Sequence, residues 1–563
     1  MASSNGKLPW IGYGSAPPTP EPYPHWRASI ALMRPPCDEA VIRAGDVEVP
    51  CGTKARPWIL AATILGSSLA FIDSTVVNVA LPAMQASLHA TVVDVQWVIE
   101  SYGLFLGALI LVGGSLGDLF GRRLIFVAGV AIFAGASLAC GIAANIHQLI
   151  IARSIQGVGA ALLVPGSLAI ISASFDEKSR GHAIGTWSGF TAITTAVGPV
   201  VGGWLIEHAS WRWAFFINLP IAATVFATAL WRIPESRSTI TARIDWFGAL
   251  LATLGLGGLV YGFLESVNLG WSNPLVFGSL ILGFGCLAAC VFVEGRVTSP
   301  MVPLSLFESR SFTGANLLTL FLYAATGIFF FLFPLNLIQV QGYSATAAGA
   351  AILPLILLMF LLSGWAGGLV ARFGPRGPLT IGPIIAAVGF VLFALPAVGS
   401  SYWKSFFPAL VVLGFGMTVT VAPLTTVVMN SVNQDRVGTA SGVNNAVARV
   451  AGVLAIAVFG IVMVKAFGSH LDYSLGRLAL PPGVLQKLRS DEIRLAGLRV
   501  PASLDSDVRN AIKEMIGEAF VFGFRIVILI CAGLSATSAV IAWLMIPTEG
   551  GLARGITNSA HPL

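Results

Sequence analysis

The stretch Gly114-Ser115-Leu116-Gly117-Asp118-Leu119-Phe120-Gly121-Arg122-Arg123 separates two long apolar runs. A partial copy of it, Gly367-Gly368-Leu369-Val370-Ala371-Arg372-Phe373-Gly374-Pro375-Arg376, returns later in the chain. A second pair repeats the relation: Arg180-Gly181-His182-Ala183-Ile184-Gly185 lines up with Val437-Gly438-Thr439-Ala440-Ser441-Gly442. Both matches imply an offset of about 255 residues, and two independent matches at one offset mark an internal duplication. The repeated unit contains six apolar runs of membrane length. It therefore predicts two six-helix bundles with a central pathway between them.

Composition agrees. Of 563 residues, 56% are hydrophobic and 10% charged, with mean hydropathy +0.83. Soluble domains carry about 25% charged residues, so the chain reads as an all-α polytopic membrane protein. A span needs about 20 apolar residues at 1.5 Å each. That rule places fourteen helices near 57–82, 95–116, 124–144, 147–172, 181–206, 214–232, 246–265, 274–294, 313–338, 347–370, 378–398, 405–429, 439–467 and 519–546. The seventh and eighth fall outside the repeat and read as an inserted pair. The expected organisation is a disordered, proline-rich tail (1–55), an N-terminal bundle (56–233), the inserted pair (245–295), a C-terminal bundle (312–547) containing a long connection (468–518), and a short tail (548–563).

The net charge of +6 implies no nucleic-acid partner, because basic residues gather in short breaks between apolar runs. Arg122-Arg123, Lys178 with Arg180, Arg232 to Arg243, Arg296 with Arg310, Arg372 with Arg376, and Arg436 alternate with nearly uncharged breaks. The positive-inside rule makes that set cytoplasmic, and an even helix count puts both termini with it, in a bacterial-type inner membrane. The 468–518 connection opposes the rule. It is expected outside, yet holds Arg477, Lys487, Arg489, Arg494, Arg499, Arg509 and Lys513. The six cysteines have no metal-ligand spacing. Cys140, Cys286, Cys290 and Cys531 lie in apolar runs as small hydrophobes, and Cys37 and Cys51 lie in the tail. No metal or cofactor is expected.

An ionisable side chain within hydrocarbon is costly and marks a cavity, a partner or a proton path. Asp73 stands about 16 residues, 24 Å, from the cytoplasmic end of helix 1. Glu100 and Arg153 each lie about 8–9 Å below the opposite end of helices 2 and 4. All three fall at similar depth in one bundle, which predicts a coupled cluster. Arginine lowers the pKa of a nearby carboxylate and desolvation raises it, so an acid balanced between them loads and releases a proton. The alternatives are a static Asp73–Arg153 ion pair and a Glu100 sitting wet in the interface.

At these residues the chain resembles the major facilitator superfamily, and within it the fourteen-helix drug:proton antiporters of the EmrB/QacA type. The resemblance runs from about 57 to 546. The block Leu69-Ala70-Phe71-Ile72-Asp73-Ser74-Thr75-Val76-Val77-Asn78-Val79-Ala80-Leu81-Pro82 resembles their helix 1, whose acid belongs to the proton path. Leu149 to Gly159 resembles the helix 4 block with its intramembrane arginine. The loop from Gly114 to Arg123 is similar to G-x-L-x-D-x-x-G-R-R: Gly114 and Gly117 permit close helix approach, Gly121 a tight turn, and Asp118 suits a helix N-terminus. The resemblance implies that Asp118 latches onto the start of helix 13 near Gly438. Gly198-Pro199-Val200-Val201-Gly202-Gly203, preceded by Gly185, Gly189, Ala192 and Ala196, resembles the G-P-x-x-G-G element of exporters. Trp211 to Pro220 matches the helix 6 entrance, and Val437 to Gly452, with Asn444, Asn445 and Arg449, matches the mobile helix 13.

Two positions depart from the pattern. Ala371 replaces the acid of the second loop, and helices 9 to 14 lack a buried carboxylate, which disfavours dicationic substrates. Arg449 either faces the cavity or meets a carbonyl. Tyr323, Phe329, Phe330, Phe331 and Phe333 either line the cavity or face lipid, with Asn336, Gln339 and Gln341 at their outer end. Asn78, Tyr323, Phe330, Asn336, Asn444 and Arg449 are the candidate cavity residues. The expected function is a monomeric, proton-gradient-driven exporter of a small amphiphile by alternating access, with Asp73 as main proton acceptor, Glu100 auxiliary and Arg153 their electrostatic control. The alternative is an exporter or flippase of an endogenous lipid, siderophore or metabolite. A membrane-embedded enzyme ranks last, for want of metal spacing or a large external domain.

Overall fold

A computed structural model describes residues 55–175, 177–237, 245–297, 300–432, 437–478, 480–501 and 503–548. The N-terminal tail with Cys37 and Cys51, most of the C-terminal tail, Arg243 and Arg436, and the side chains of Lys178, Arg180 and Ala192 lie outside the described residues. Among the described residues every regular element is helical. Fourteen helices are long and apolar enough to cross a membrane: α1 (Arg56–Leu88), α2 (Val92–Phe120), α3 (Arg122–Ile142), α4 (Ile146–Ser174), α5 (Ala183–His208), α6 (Trp213–Arg232), α7 (Trp246–Leu269), α8 (Pro274–Glu294), α9 (Arg310–Val340), α10 (Ala345–Gly367), α11 (Arg376–Phe393), α12 (Tyr402–Asn430), α13 (Thr439–Leu475) and α14 (Ser506–Met545).

Packing repeats across the duplication. α4 packs on α2 and α3 while α1 packs on α5 and α6; correspondingly, α12 packs on α10 and α11 while α9 packs on α13 and α14. The two six-helix bundles meet along two equivalent seams, α2 on α13 and α5 on α10. The inserted pair is a hairpin: α7 and α8 pack on each other, and α7 also lies against both α2 and α13. It covers one seam, with the Trp97 indole donating to Glu265 Oε1 at 2.9 Å.

The connection between α13 and α14 differs from expectation. α14 is a 40-residue helix, about 60 Å long, against a hydrocarbon core of about 30 Å. The apolar run fixed only its membrane part; Ile512 and Ile516 continue a buried stripe through the polar first turns. Between α13 and α14 a short helix (Pro482–Ser490) packs on α13, and a 3₁₀ turn (Glu492–Gly497) folds over the end of α1. Gln85 Nε2 donates to the Arg494 carbonyl and Arg499 donates to the Ala86 carbonyl, each at 3.1 Å. Arg489 pairs with Asp472 at 2.7 Å and Arg494 with Asp491 at 3.5 Å. The basic residues that opposed the topology rule are thus partly engaged within this cap and on the last carbonyls of α1.

The cap marks a closed face. There Gln339 Nε2 donates to Gln85 Oε1 at 2.9 Å between the bundles, and Thr346 donates to Glu207 Oε2 at 2.6 Å between α10 and α5. The α5–α10 seam is so tight near the cap that a Cβ on Gly203 would lie 2.4 Å from the Ala345 carbonyl oxygen, and one on Gly349 2.1 Å from that of Pro199. Further along the same two helices Gly189 still lies near Phe360, whereas a Cβ on Gly185, Gly364 or Gly367 would meet nothing within 4 Å; the other seam continues as far as Gly442 against Leu111. The capped end of the pathway is closed.

The phenylalanine row belongs neither to the cavity nor to lipid. Phe329, Phe331 and Phe333 are fully buried. Phe329 stacks on Phe333 with centroids 5.0 Å apart and tilts against Phe393 at 4.8 Å, and Phe333 reaches Phe406 at 5.9 Å. These rings are the packed core where α9, α11 and α12 meet, and Phe330 is partly buried against it.

Candidate functional site: a buried charge network between helices 1, 4 and 6

Three helices of the N-terminal bundle bring Asp73, Arg153, Gln156 and Asn218 together with no solvent exposure to speak of. The spacing of Arg153 and Gln156 places both on one face of α4. Arg153 Nη1 is ion-paired with Asp73 Oδ2 and donates to Gln156 Oε1 at 2.7 Å. Gln156 Nε2 donates to Asp73 Oδ1 at 2.8 Å, and Asn218 Nδ2 donates to the same oxygen at 3.1 Å. Ser137 Oγ on α3 accepts from both amides, at 2.7 and 3.2 Å. Arg153 Nε donates to the Val98 carbonyl at 3.0 Å, and the guanidinium lies over the Tyr102 ring at 4.2 Å. A buried pair survives only when its remaining donors and acceptors are satisfied, and here Gln156, Asn218 and the Val98 carbonyl do that, although Asn218 Oδ1 itself has no partner.

Depth matching correctly brought Asp73 to Arg153. It did not bring Glu100, which has no ion pair and no hydrogen bond to either oxygen although its side chain is fully buried. Glu100 is not wet either. Its helix face explains both results: Gln96, Gly103 and Gly107, at helical spacing from it, all meet α13, so Glu100 points to the seam between bundles instead of into its own. Gln156 and Asn218 stood unrecognised inside quoted blocks, and Ser137 and Tyr102 were missed. Their signal is a polar group inside an apolar run.

The loop motif also differs from expectation. Asp118 accepts from Arg122 Nε and Nη2 at 2.9 and 2.8 Å, four residues along, and not from the start of α13. The acid at a helix N-terminus is Glu235, which the sequence reading overlooked. It accepts from the backbone amides of Arg123 and Leu124 at 3.0 and 3.1 Å, capping α3. Arg122 N–H donates to the Ser236 carbonyl at 2.9 Å and Arg123 Nη1 to that of Ile233 at 3.0 Å, which fastens the loop to the α6 exit. Gly121 makes the turn at φ 121°, which a side chain rarely adopts, and lies directly against Glu235. Burial pushes the Glu235 carboxyl above its ordinary value, against the pull of Arg123 and the amides. Gly114 and Gly117 lie on the preceding turns of α2, where Gly114 faces Pro165 of α4.

Gly198 and Gly202 press on α1 at Thr75 and Val76, whereas Pro199 and Gly203 meet α10. The exporter-like element therefore joins the Asp73 helix to the other bundle. Of the cavity candidates, Asn78 donates to the Ser74 carbonyl of its own helix. Asn444 donates to Asn316 Oδ1 at 3.1 Å and Thr319 Oγ1 at 2.7 Å, tying α13 to α9. Asn336 is buried near the capped end of α9 and accepts from Gln341 at 3.4 Å. Tyr323 and Phe330 are half-buried. Arg449 meets no carbonyl: its guanidinium lies 5.9 Å over the Phe71 ring, between the bundles. Asn316 lines a cavity of about 340 Å³ between α9, α13 and the segment before α9, otherwise walled by residues such as Phe307, Leu320, Val443 and Val447. No group of side chains among the described residues is arranged to hold a metal.

Two related six-helix bundles that meet along two seams, one of them holding a buried polar network, have the architecture of a membrane transporter and not of an enzyme. The chain belongs to the Major Facilitator Superfamily, whose family description matches residues 63–456. The tetracenomycin C resistance and export protein of Streptomyces glaucescens is 30% identical to it over 502 residues, 87% of this chain and 92% of that protein. Multidrug resistance protein Stp of Mycobacterium tuberculosis is 33% identical over 508 residues, again 87% of this chain and 92% of the relative. The crystal structure of a bacterial homolog of the human lysosomal transporter Spinster, inward-facing and unoccupied, is similar with a TM-score of 0.60. That likeness covers 88% of this chain and all of that one at 18% identity, and is one of fold alone.

Proposed function

We propose that the protein exports a small amphiphile in exchange for protons, with Asp73 as the main proton acceptor. The observation that carries this reading is the Asp73 network: a carboxylate within the membrane interior, ion-paired to Arg153 and held by two amides that can re-pair when it takes a proton. Protonation removes the charge that Arg153 answers, and the rearrangement has a short route outward. Thr75 and Val76, next along α1, bear on Gly198 and Gly202, and the following faces of α5 bear on α10 across the seam. Proton loading thereby biases one bundle against the other, as alternating access requires.

With the basic loops inside, the chain ends are cytoplasmic and the capped, closed face is external. The Asp118–Arg122 pair is then the unlatched form of the cytoplasmic gate. The mostly apolar cavity beside α9 and α13 supports a substrate with an apolar body. That feature favours an endogenous lipid-like metabolite as much as a drug, and a single six-plus-six unit contains every part named. In inverted membrane vesicles loaded with a fluorescent amphiphile and energised by a pH gradient, Asp73→Asn should insert normally and abolish gradient-driven transport. Undiminished transport by that variant would remove Asp73 from the mechanism.

A further inference from the structure

Among the described residues, two charged side chains in the membrane interior, Glu100 and Arg449, have no polar partner, and they border the same seam at different levels. Glu100 is fully buried, and both its carboxyl oxygens lack a hydrogen bond. Arg449, half-buried on α13, makes no hydrogen bond or ion pair and rests over Phe71. The register is set by four contacts. Gln96 Nε2 donates to the Ile456 carbonyl at 3.3 Å, Gly103 abuts Val453, Gly107 abuts Arg449 Cβ, and Gly442 abuts Leu111. The helices run antiparallel, and Glu100 stands two turns of α2, about 10 Å, from the level of Arg449 Cα.

The other charged groups packed around this part of α2 are engaged. Arg153 on α4 is held by Asp73, Gln156 and the Val98 carbonyl. Glu265 on α7 accepts from Trp97 and Asn268. In the cap, beyond the end of this seam, Arg494 pairs with Asp491, whereas Glu492 makes no hydrogen bond or ion pair and lies beside Gly468 of α13. An ionised, unpartnered carboxylate in this dry seam would cost several kcal/mol, so the packing accommodates the neutral acid. An unpaired guanidinium across the seam is the matching cation.

We propose that Glu100 and Arg449 are a proton-dependent switch between the bundles. In the conformation seen here Glu100 carries a proton and the two groups are apart. When the α2–α13 seam slides by about one helical turn (5.4 Å), Glu100 releases that proton to water and its carboxylate pairs with Arg449. One proton leaves and one ion pair forms, without Asp73 taking part. The inference rests on the proton-coupled reading above but assigns a separate proton to the seam.

Protein labelled with ¹³C-glutamate, in lipid nanodiscs, would be studied by infrared difference spectroscopy between low and high pH, and by distance measurement between spin labels on the capped ends of α2 and α13. The wild type should lose an isotope-shifted protonated-carboxyl band as pH rises, and the label distance should change with the same midpoint. Glu100→Gln should lack the component of that band that titrates with the label distance, while the components of Glu235 and Glu294 remain. Arg449→Gln should lose the distance change, and Asp73→Asn should keep both while losing gradient-driven transport. The wild-type band requires no variant to fold, and the reciprocal Glu100→Arg/Arg449→Glu exchange should restore a pH-dependent distance. A wild type with no component that titrates with the label distance, a full wild-type band in Glu100→Gln, or a distance response untouched by Arg449→Gln would overturn the switch. None of those results would bear on Asp73.

Discussion

Arg153→Gln tests how the buried network is held. The substitution deletes the ion pair to Asp73 together with the bonds to Gln156 and the Val98 carbonyl, and leaves the Asp73 carboxylate fully buried with two amide donors. Removing one partner of a buried pair costs about 3–5 kcal/mol, because the other charge is left uncompensated. Asp73→Asn strands Arg153 in the same way and should cost a similar amount. The double substitution removes both charges while keeping four amide-bearing or hydroxyl side chains in the site, so it should lie within about 1 kcal/mol of the wild type. Chemical denaturation of detergent-solubilised protein, followed by tryptophan fluorescence, measures all four corners of the cycle. The Arg153→Gln deficit should also narrow at low pH, where the stranded carboxyl takes a proton, whereas the double variant should show no such dependence. If the double variant is destabilised by the sum of the single effects, the two side chains are not energetically coupled and the network argument fails.

Two further outcomes concern the loop and the aromatic core. Glu235→Ala should cost about 0.5–2 kcal/mol by uncapping α3, measured as a shift in the same denaturation midpoint. Because the folded protein holds that carboxyl above its ordinary value, its contribution to stability is largest at low pH and declines as pH rises above about 4.3 through the raised value; Glu235→Gln should therefore flatten the pH profile of stability over that range. Phe329→Ala should destabilise by about 3–5 kcal/mol, as expected of a core ring, yet leave the affinity of a bound fluorescent amphiphile within twofold in equilibrium titrations. A large loss of affinity without loss of stability would return the row to the cavity wall.

The duplication, the membrane spans, the inserted pair and the Asp73–Arg153 meeting were legible in the sequence for one reason. Hydrophobic run length and the rise of a helix fix depth along the membrane normal, and the duplication fixes which runs belong to the same bundle. Depth leaves the azimuth of each side chain free. Glu100 matched Arg153 in depth but points to the opposite bundle, because the same α2 face carries Gln96, Gly103 and Gly107. Azimuth likewise turned Phe329, Phe331 and Phe333 into core, and it put Ser137 and Asn218, remote in sequence from Asp73, within its network. The cap was illegible because its polar helices carry no membrane-length signal, and Glu235 because a capping acid donated from a distant connector leaves no spacing rule to read. Sequence by itself determined the number, order and depth of the charges. Only tertiary packing decided which of them meet, since a helix crossing a membrane can turn about its axis without changing depth.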